Sequence, residues 1–256
     1  MFYRFIICFI AGIGAGLGTG FAGMSAAAVI SPMLITFLGM QPYEAVGIAL
    51  ASDVLASAVS AYTYGKNGNL DIRNGLVMMG SVLAFTLVGS WVSSLVPSNA
   101  MGGFSTFMTL LLGVKFIVKP VMATRESMGA VDPKKRFMQS VVCGAMIGFI
   151  CGFIGAGGGM MMLLILTSVL GYELKTAVGT SVFIMAFTAF TGAVSHFAIG
   201  GAPDPWALAF CVLSTLLWAR IAARFANKAS NVVLNRATGV VLVVLGAAIL
   251  AVNYWG

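Results

Sequence analysis

The chain has 256 residues, of which 60% are hydrophobic and 8% are charged, and its mean hydropathy is +1.02. Soluble domains carry about 25% charged residues, so this composition excludes a soluble protein and indicates an integral membrane protein. The net charge of +7 does not indicate nucleic-acid binding, because the Lys and Arg residues lie between apolar stretches and form no basic face.

The apolar stretches predict membrane-spanning helices. Eight segments are predicted, at residues 5–38, 43–64, 74–96, 100–119, 138–170, 174–199, 205–225 and 234–254. Most are near the roughly 20 residues that cross a bilayer as a helix, and none has the ten-residue alternation of an outer-membrane strand. We predict an all-α fold with a first transmembrane repeat at 1–120, a cytoplasmic linker at 121–137 and a second repeat at 138–256.

The two halves of the chain are related by an internal duplication. One constant shift in residue number, which places Gly12 on Gly144, aligns the two copies; we call this shift the repeat offset. Aligned in this way without a gap, five residues of the first copy have an identical residue in the second. They are Gly12, Gly16, Gly20, Phe21 and Gly23, which fall on Gly144, Gly148, Gly152, Phe153 and Gly155. Small residues four apart on one helix face let helices approach closely in lipid. We therefore interpret these glycine ladders as packing surfaces and the duplication as a repeated structural unit.

Two segments, 5–38 and 138–170, are too long for a single straight crossing, and each has a glycine-rich break near its centre. Each arm has about fifteen residues, or about 22 Å of helix, which hardly crosses a hydrocarbon core of about 30 Å. Each segment could therefore tilt, or could enter the membrane and return. The prediction is two halves, each with a broken or re-entrant hairpin followed by three transmembrane helices.

The distribution of the fourteen Lys and Arg residues indicates which transmembrane topology is favoured, because short cytoplasmic loops are enriched in these residues. If all eight segments cross once, nine lie inside and five outside. If both long segments return, thirteen lie inside and only Arg4 lies outside. If only the second returns, all fourteen lie inside, but two duplicated segments would then behave differently. We favour the symmetric arrangement, which makes the halves inverted repeats.

The breaks are the candidate substrate site. A helix that restarts inside the protein points free amides and a positive dipole end at the interior, which suits a small anion. The alternative is a hinge without a ligand. The residues proposed to contact substrate here are Gly23, Met24 and Ser25 in the first half and Gly155, Ala156, Gly157 and Gly158 in the second.

Three further polar residues lie deep in apolar segments. Asp53 is ionisable at a depth where charge is costly, so it is a candidate for coupling to a proton or a cation. The alternative is a carboxylate that binds backbone amides of the broken helix. Thr180 and Ser181 supply hydroxyls to the substrate site, although such side chains often only bond to their own helix.

The breaks and the motif around Thr180 resemble the TauE/SafE family of sulfite-exporter-like membrane proteins. The resemblance is carried by Gly20-Phe21-Ala22-Gly23 with Ser31-Pro32, by the glycine-rich run from Gly152 to Gly159, and by Ala177-Val178-Gly179-Thr180-Ser181. It covers nearly the whole chain and implies a secondary transporter, commonly an exporter, of small sulfur-containing or organic anions. The second copy matches the family pattern better than the first does.

We therefore predict a multi-pass protein of the bacterial inner membrane that carries a small anion such as sulfite or an organosulfonate by alternating access, coupled to a proton or cation. An anion channel is an alternative. An intramembrane enzyme is disfavoured, because no HExxH, GxSxG or paired membrane carboxylates occur. The expected partners are the anion and membrane lipid, without nucleic acid, metal or cofactor, and the sequence leaves a homodimer open.

Overall fold

The computed structural model describes residues 2–93, 103–121, 123, 132–154 and 158–255. Over these ranges it contains helices and no strands, which confirms the predicted all-α fold. In chain order the helices are α1 (Phe2–Ala22), α2 (Ala27–Leu38), α3 (Pro42–Lys66), α4 (Ile72–Ser93), α5 (Gly103–Val118), α6 (Pro133–Ile154), α7 (Gly158–Ser168), α8 (Leu174–Gly200), α9 (Pro205–Lys228) and α10 (Asn231–Trp255). By length and composition, six described helices, α1, α3, α4, α8, α9 and α10, can cross a membrane.

The duplication is visible in the helix boundaries. Helix α3 begins at Pro42 and helix α8 begins at Leu174, and these two positions are related by the repeat offset. Each is preceded by a glycine in the left-handed conformation, Gly39 with φ of 61° and Gly171 with φ of 65°. Only glycine adopts this conformation without strain, so the same turn follows the short helix in both halves.

Helix α6 begins earlier than the apolar pattern predicts, at Pro133 instead of 138. The Asp132 carboxylate accepts a hydrogen bond from the Lys134 amide at 3.2 Å, and proline is favoured at the first helical position. Because the first turn carries three basic residues, hydropathy alone does not reveal it. The start of α6 therefore falls within the predicted linker at 121–137.

The first long segment is a hairpin whose two arms, α1 and α2, run in opposite directions. The Tyr3 hydroxyl, at the start of α1, donates to the Phe37 carbonyl, at the end of α2, at 3.3 Å. Beside them, Arg4 pairs with Asp204 at 2.7 Å, and the Asp204 amide donates to Glu44 at 2.8 Å. We call this end of the bundle, marked by Arg4, Glu44 and Asp204, end A.

The second long segment is also a hairpin, formed by α6 and α7. The Arg136 guanidinium, at the start of α6, lies 5.2 Å from the ring centroid of Tyr172, just after α7. The Tyr172 hydroxyl donates to Asp71 at 2.8 Å, at the start of α4. We call this end, marked by Asp71, Arg136 and Tyr172, end B. Burial and the nearby Asp71 carboxylate raise the pKa of Tyr172, so it remains a neutral donor.

The two hairpins therefore begin and end at opposite ends of the helix bundle. Between these ends, α3 runs from end A to end B, because Glu44 lies near its start, whereas its last turn at Tyr64 precedes Asp71. Helix α8 runs the opposite way beside it, with Gly179 against Tyr64 and Gly192 against Leu50. The core lies where α3, α8 and the two hairpins meet, in the middle of the bundle.

The glycine ladders are packing surfaces, as predicted. A methyl group added at Gly16 would lie 2.7 Å from the Thr215 carbonyl oxygen of α9, and one at Gly20 would lie 2.8 Å from that of Ala219. In the second half, a methyl group at Gly144 would lie 2.8 Å from the Met78 carbonyl oxygen of α4. Each hairpin thus packs, through glycine, against a helix of the other half.

Candidate substrate site at the helix breaks

The first turn of α7, which follows the second break in the sequence, lies against the first break in the core of the bundle. Gly159, in the first turn of α7, is so close to the first break that an added methyl group would lie 3.0 Å from the Ser25 amide nitrogen and 2.7 Å from Met185 Sδ. Gly158 is the first residue of α7. Gly155, Ala156 and Gly157 lie outside the described residues.

The first break turns at Gly23, whose φ is 60°, and its carbonyl groups are covered by hydroxyls from four helices. The bonds are Tyr64 to Gly20 at 2.8 Å, Thr238 to Phe21 at 3.2 Å, Ser181 to Gly23 at 3.3 Å and Thr19 to Met24 at 2.8 Å. Backbone that leaves a helix at membrane depth requires partners of this kind, because lipid supplies none. Met24 is fully buried.

Asp53 lies directly at the amino end of α2. Its carboxylate is 1% exposed and accepts hydrogen bonds from the hydroxyls of Ser25 at 2.7 Å and Ser57 at 2.8 Å, and it lies near the Ala26 amide. The first turn of a helix carries a partial positive charge, which stabilises a carboxylate placed beside it. The amino end of α2 therefore already holds a carboxyl group in the core of this protein.

The described helices around Asp53 bring no other charged group to it. Their charged side chains lie toward the bundle ends or are exposed: Arg4 on α1, Glu44 and Lys66 on α3, Lys175 on α8, and Arg220, Arg224 and Lys228 on α9. Two other titratable side chains face elsewhere, since the Tyr64 hydroxyl donates to the Gly20 carbonyl and the His196 ring stacks on Tyr43. The charge of Asp53 is balanced by hydroxyl and amide dipoles, as a buried carboxylate requires.

The site is not symmetric. At the repeat offset, Asp53 corresponds to Met185 and Ser57 corresponds to Ala189, so the second half has neither the acid nor its hydroxyl partner. The sulfur of Met185 instead accepts a long contact from the Ser181 hydroxyl at 3.8 Å. Of these two repeat-related positions, only the one in the first half therefore carries a carboxylate, that of Asp53.

The side chains of Thr180 and Ser181 point to different parts of the bundle, although the two residues are adjacent in the sequence. Ser181 is buried and contacts the first break through the Gly23 carbonyl. Thr180 points toward α4, where its hydroxyl accepts a hydrogen bond from the Asp71 amide at 3.2 Å near end B. Successive helical residues point about 100° apart, so only Ser181 reaches the first break.

Sequence reasoning missed the residues that support the first break. Ser57 follows Asp53 by four positions, the spacing at which side chains on one helix face meet, and that signal was available. Thr19 lies only five positions before its partner Met24 and was also within reach of sequence reasoning. Tyr64 and Thr238 bond to the break from positions far away in the chain, which only the folded structure reveals.

Comparison with known proteins decides the family. The model of the sulfite exporter TauE/SafE family matches residues 8–249. The chain belongs to the TauE/SafE family. A relative from Bacillus subtilis, probable membrane transporter protein YunE, is 25% identical over 96% of this chain and 97% of its own length. Probable membrane transporter protein ORF9 of a Sinorhizobium species is 23% identical over 98% of this chain and 94% of its own length.

This TauE/SafE protein is a multi-pass protein of the cell membrane and a transporter, not an enzyme. The family match, relatives named as probable membrane transporters and six helices able to span a membrane agree on this. The predicted class and location are thereby confirmed.

Proposed function

We propose that this TauE/SafE protein is a secondary transporter, and an exporter, of a small anion such as sulfite, an organosulfonate or a related organic anion. It works by alternating access and couples transport to a proton or cation. The observation that carries the proposal is the Asp53 carboxylate at the amino end of α2, in the first break, against which the first turn of α7 packs. Hydroxyl and amide donors gathered there suit a small anion.

The substrate site in this proposal is formed by the hairpin tips. Gly23, Met24 and Ser25 contribute from the first half, and Gly155, Ala156, Gly157 and Gly158 contribute from the second. Ser181 adds a hydroxyl at the first break, whereas Thr180 would have to release the Asp71 amide to contribute.

Asp53 is the coupling residue in this proposal. While it is ionised, it occupies the donors of Ser25, Ser57 and the α2 amino end. A proton or cation on the carboxylate cancels its charge and relieves the repulsion of an incoming anion, so that both are bound together. An anion and its co-transported ion then cross in the same conformational cycle.

The test is flux in liposomes that contain the purified protein. Wild type should accumulate radiolabelled sulfite, or a sulfonate or carboxylate selected by a thermal-shift screen, when a pH or cation gradient is applied. Asp53→Asn should bind the anion within about threefold of the wild-type affinity, because the amide keeps an acceptor oxygen, but should only equilibrate it.

The matched control is Asp132→Asn, which removes an exposed carboxylate at the start of α6 and should leave accumulation unchanged. If Asp53→Asn still accumulates substrate against a gradient, Asp53 has only a structural role. Flux that does not saturate with anion concentration would identify a channel instead of a carrier.

A further inference from the structure

We propose that the units that move during transport are not the two sequence halves but two composite units, each built from one hairpin and one helix of the other half. Unit 1 is α1 and α2 with α9, and unit 2 is α6 and α7 with α4. This inference rests on the proposed alternating access and specifies which interfaces stay closed during the cycle.

In unit 1, α1 and α9 contact each other from one end to the other. At end A, Arg4 pairs with Asp204. Further along, the Ser214 hydroxyl donates to the Phe9 carbonyl at 3.0 Å, and at the far end the rings of Phe21 and Phe225 lie 5.8 Å apart. The two helices are therefore parallel and in register along their whole length.

The spacing between α1 and α9 leaves no room for a side chain at the ladder glycines. A methyl group at Gly16 would lie 2.7 Å from both the Thr215 carbonyl oxygen and Trp218 Cβ, and one at Gly20 would lie 2.8 Å from the Ala219 carbonyl oxygen. Backbones that interlock at this distance cannot slide or separate without losing contacts along their whole length.

Unit 2 repeats the arrangement with the roles of the halves exchanged. A methyl group at Gly144 of α6 would lie 2.9 Å from Ser81 Cβ of α4, and one at Gly148 would lie 2.9 Å from the Val82 Cα. The contacts again follow the same order along both chains, so α6 and α4 are parallel. The duplication has therefore produced a reciprocal exchange, in which each hairpin is bound to the opposite half.

Contacts between the units differ from one end of the bundle to the other. Near the first break and toward end B, backbones again approach closely through glycine, with Gly159 of α7 against Gly23 and Gly179 of α8 against Tyr64. Hydrogen bonds attach α3 to unit 1, through Tyr64 to Gly20 and Ser25 to Asp53, whereas Thr180 and Asp71 attach α8 to α4. Where α3 meets α8 near end A, side chains fill the space, with the Phe197 ring against Gly47. Side chains can repack between discrete arrangements, so this interface suits a motion.

Two native cysteines allow a direct test. Cys8 of α1 and Cys211 of α9 are both fully buried, and their side chains lie next to each other where the two helices pack. A disulfide between them would fuse hairpin α1–α2 to α9, and so join the first sequence half to the second. If the halves moved as rigid bodies, this bond would stop transport; in the composite arrangement it lies inside unit 1.

The experiment oxidises wild type in liposomes with copper phenanthroline, which removes two electrons and two protons from the thiols as the sulfur–sulfur bond forms. Alkylation after denaturation should then fall from four cysteines to two. We expect sulfite flux to stay within about twofold of the reduced protein, because a bond inside one unit does not block the conformational step. Cys8→Ser, treated identically, controls for other effects of the oxidant.

A second bond is placed between α3, which is hydrogen-bonded to unit 1, and α8, which is hydrogen-bonded to unit 2 at Asp71. It is introduced in the Cys8→Ser background by Gly47→Cys with His196→Cys. A methyl group at Gly47 would lie 3.3 Å from His196 Cβ, close to the separation found in disulfides. This bond should reduce flux at least tenfold, and dithiothreitol should restore it.

The two proposals fail in distinguishable ways. If the Cys8–Cys211 disulfide reduces flux tenfold and dithiothreitol restores it, the composite units are wrong and the halves themselves move apart. Unchanged flux with the Gly47–His196 bond formed would overturn the composite units as well. Absence of flux in reduced wild type would instead refute the proposed function.

Discussion

At the scale of single residues, two neighbouring glycines at the start of α7 have different expected roles. Gly158 is the first helical residue, and in the proposed site its end of α7 supplies amides to the anion. Gly159 faces the first break, because an added methyl group would lie 3.0 Å from the Ser25 amide nitrogen. Substitution of Gly158 should therefore weaken anion binding, whereas substitution of Gly159 should disturb the contact between the two hairpins.

We predict that Gly158→Val weakens anion binding by roughly ten- to hundredfold. A charge-assisted hydrogen bond is worth about 1.5 to 3 kcal/mol, and a branched side chain would displace the ligand from such a bond. Isothermal titration of the purified variant against the transported anion measures the change. Native affinity in both Gly157→Val and Gly158→Val, with both proteins folded, would mean that the second break is only a hinge.

Asp53 illustrates how a residue's role depends on its neighbours. Sequence alone left two interpretations, a coupling site and a carboxylate bound to backbone amides. The geometry has features of both, since the carboxylate accepts hydrogen bonds from two hydroxyls near the Ala26 amide and also lies in the first break, against which α7 packs. The Asp53→Asn flux experiment decides between them, because a purely structural carboxylate would leave accumulation intact.

At the scale of helices, the close approach of α6 to α4 predicts a strict requirement for glycine. Gly148→Ala would bring a methyl group to within 3.0 Å of the Val82 carbonyl carbon, so the helices must separate. Overpacking of this kind costs about 1 to 3 kcal/mol, and the folded yield in detergent should fall while the surviving protein keeps its affinity for the anion.

Gly80→Ala is the matched control, because Gly80 is an exposed position on α4 with no atom within 4 Å of an added methyl group. It should leave the yield unchanged or raise it slightly, since alanine favours helix over glycine by about 1 kcal/mol. Equal yields of Gly148→Ala and Gly80→Ala, measured by size-exclusion chromatography, would contradict the proposed packing role.

At the scale of the whole molecule, the loop-charge distribution predicts that end B faces the cytoplasm. Most Lys and Arg residues lie in loops or helix ends toward end B, and Arg4 alone among the described Lys and Arg residues lies at end A. In a cysteine-free background, Ser230→Cys and Ala130→Cys should react with an impermeant maleimide only from the cytoplasmic side. Ala202→Cys, near end A, should react only from outside.

Labelling of Ser230→Cys and Ala130→Cys from opposite sides would mean that the segment from 138 to 170 crosses the bilayer, and the halves would then be parallel repeats. The prediction of inverted repeats depends on this result. The hairpin geometry favours it, because the first hairpin opens at end A, marked by Arg4, and the second at end B, marked by Arg136.

The amino-acid sequence by itself determined the membrane class, the helical fold, the duplication and the position of the breaks. These properties follow from hydropathy, from the length that crosses a bilayer and from glycine spacing, all of which act locally along the chain. The helix starts at Pro42 and Leu174 keep the repeat offset seen in the sequence, so the pattern alone was sufficient there.

Only the tertiary structure decided which surfaces meet. The ladder at Gly16 indicated close packing, but not that its partner is α9 of the other half. Nothing in the sequence separated Ser181, which reaches the break, from Thr180, which binds the Asp71 amide. The physical reason is that hydrophobic periodicity fixes the buried face of a helix, whereas its partner depends on backbone shape and hydrogen bonds between residues far apart in the chain.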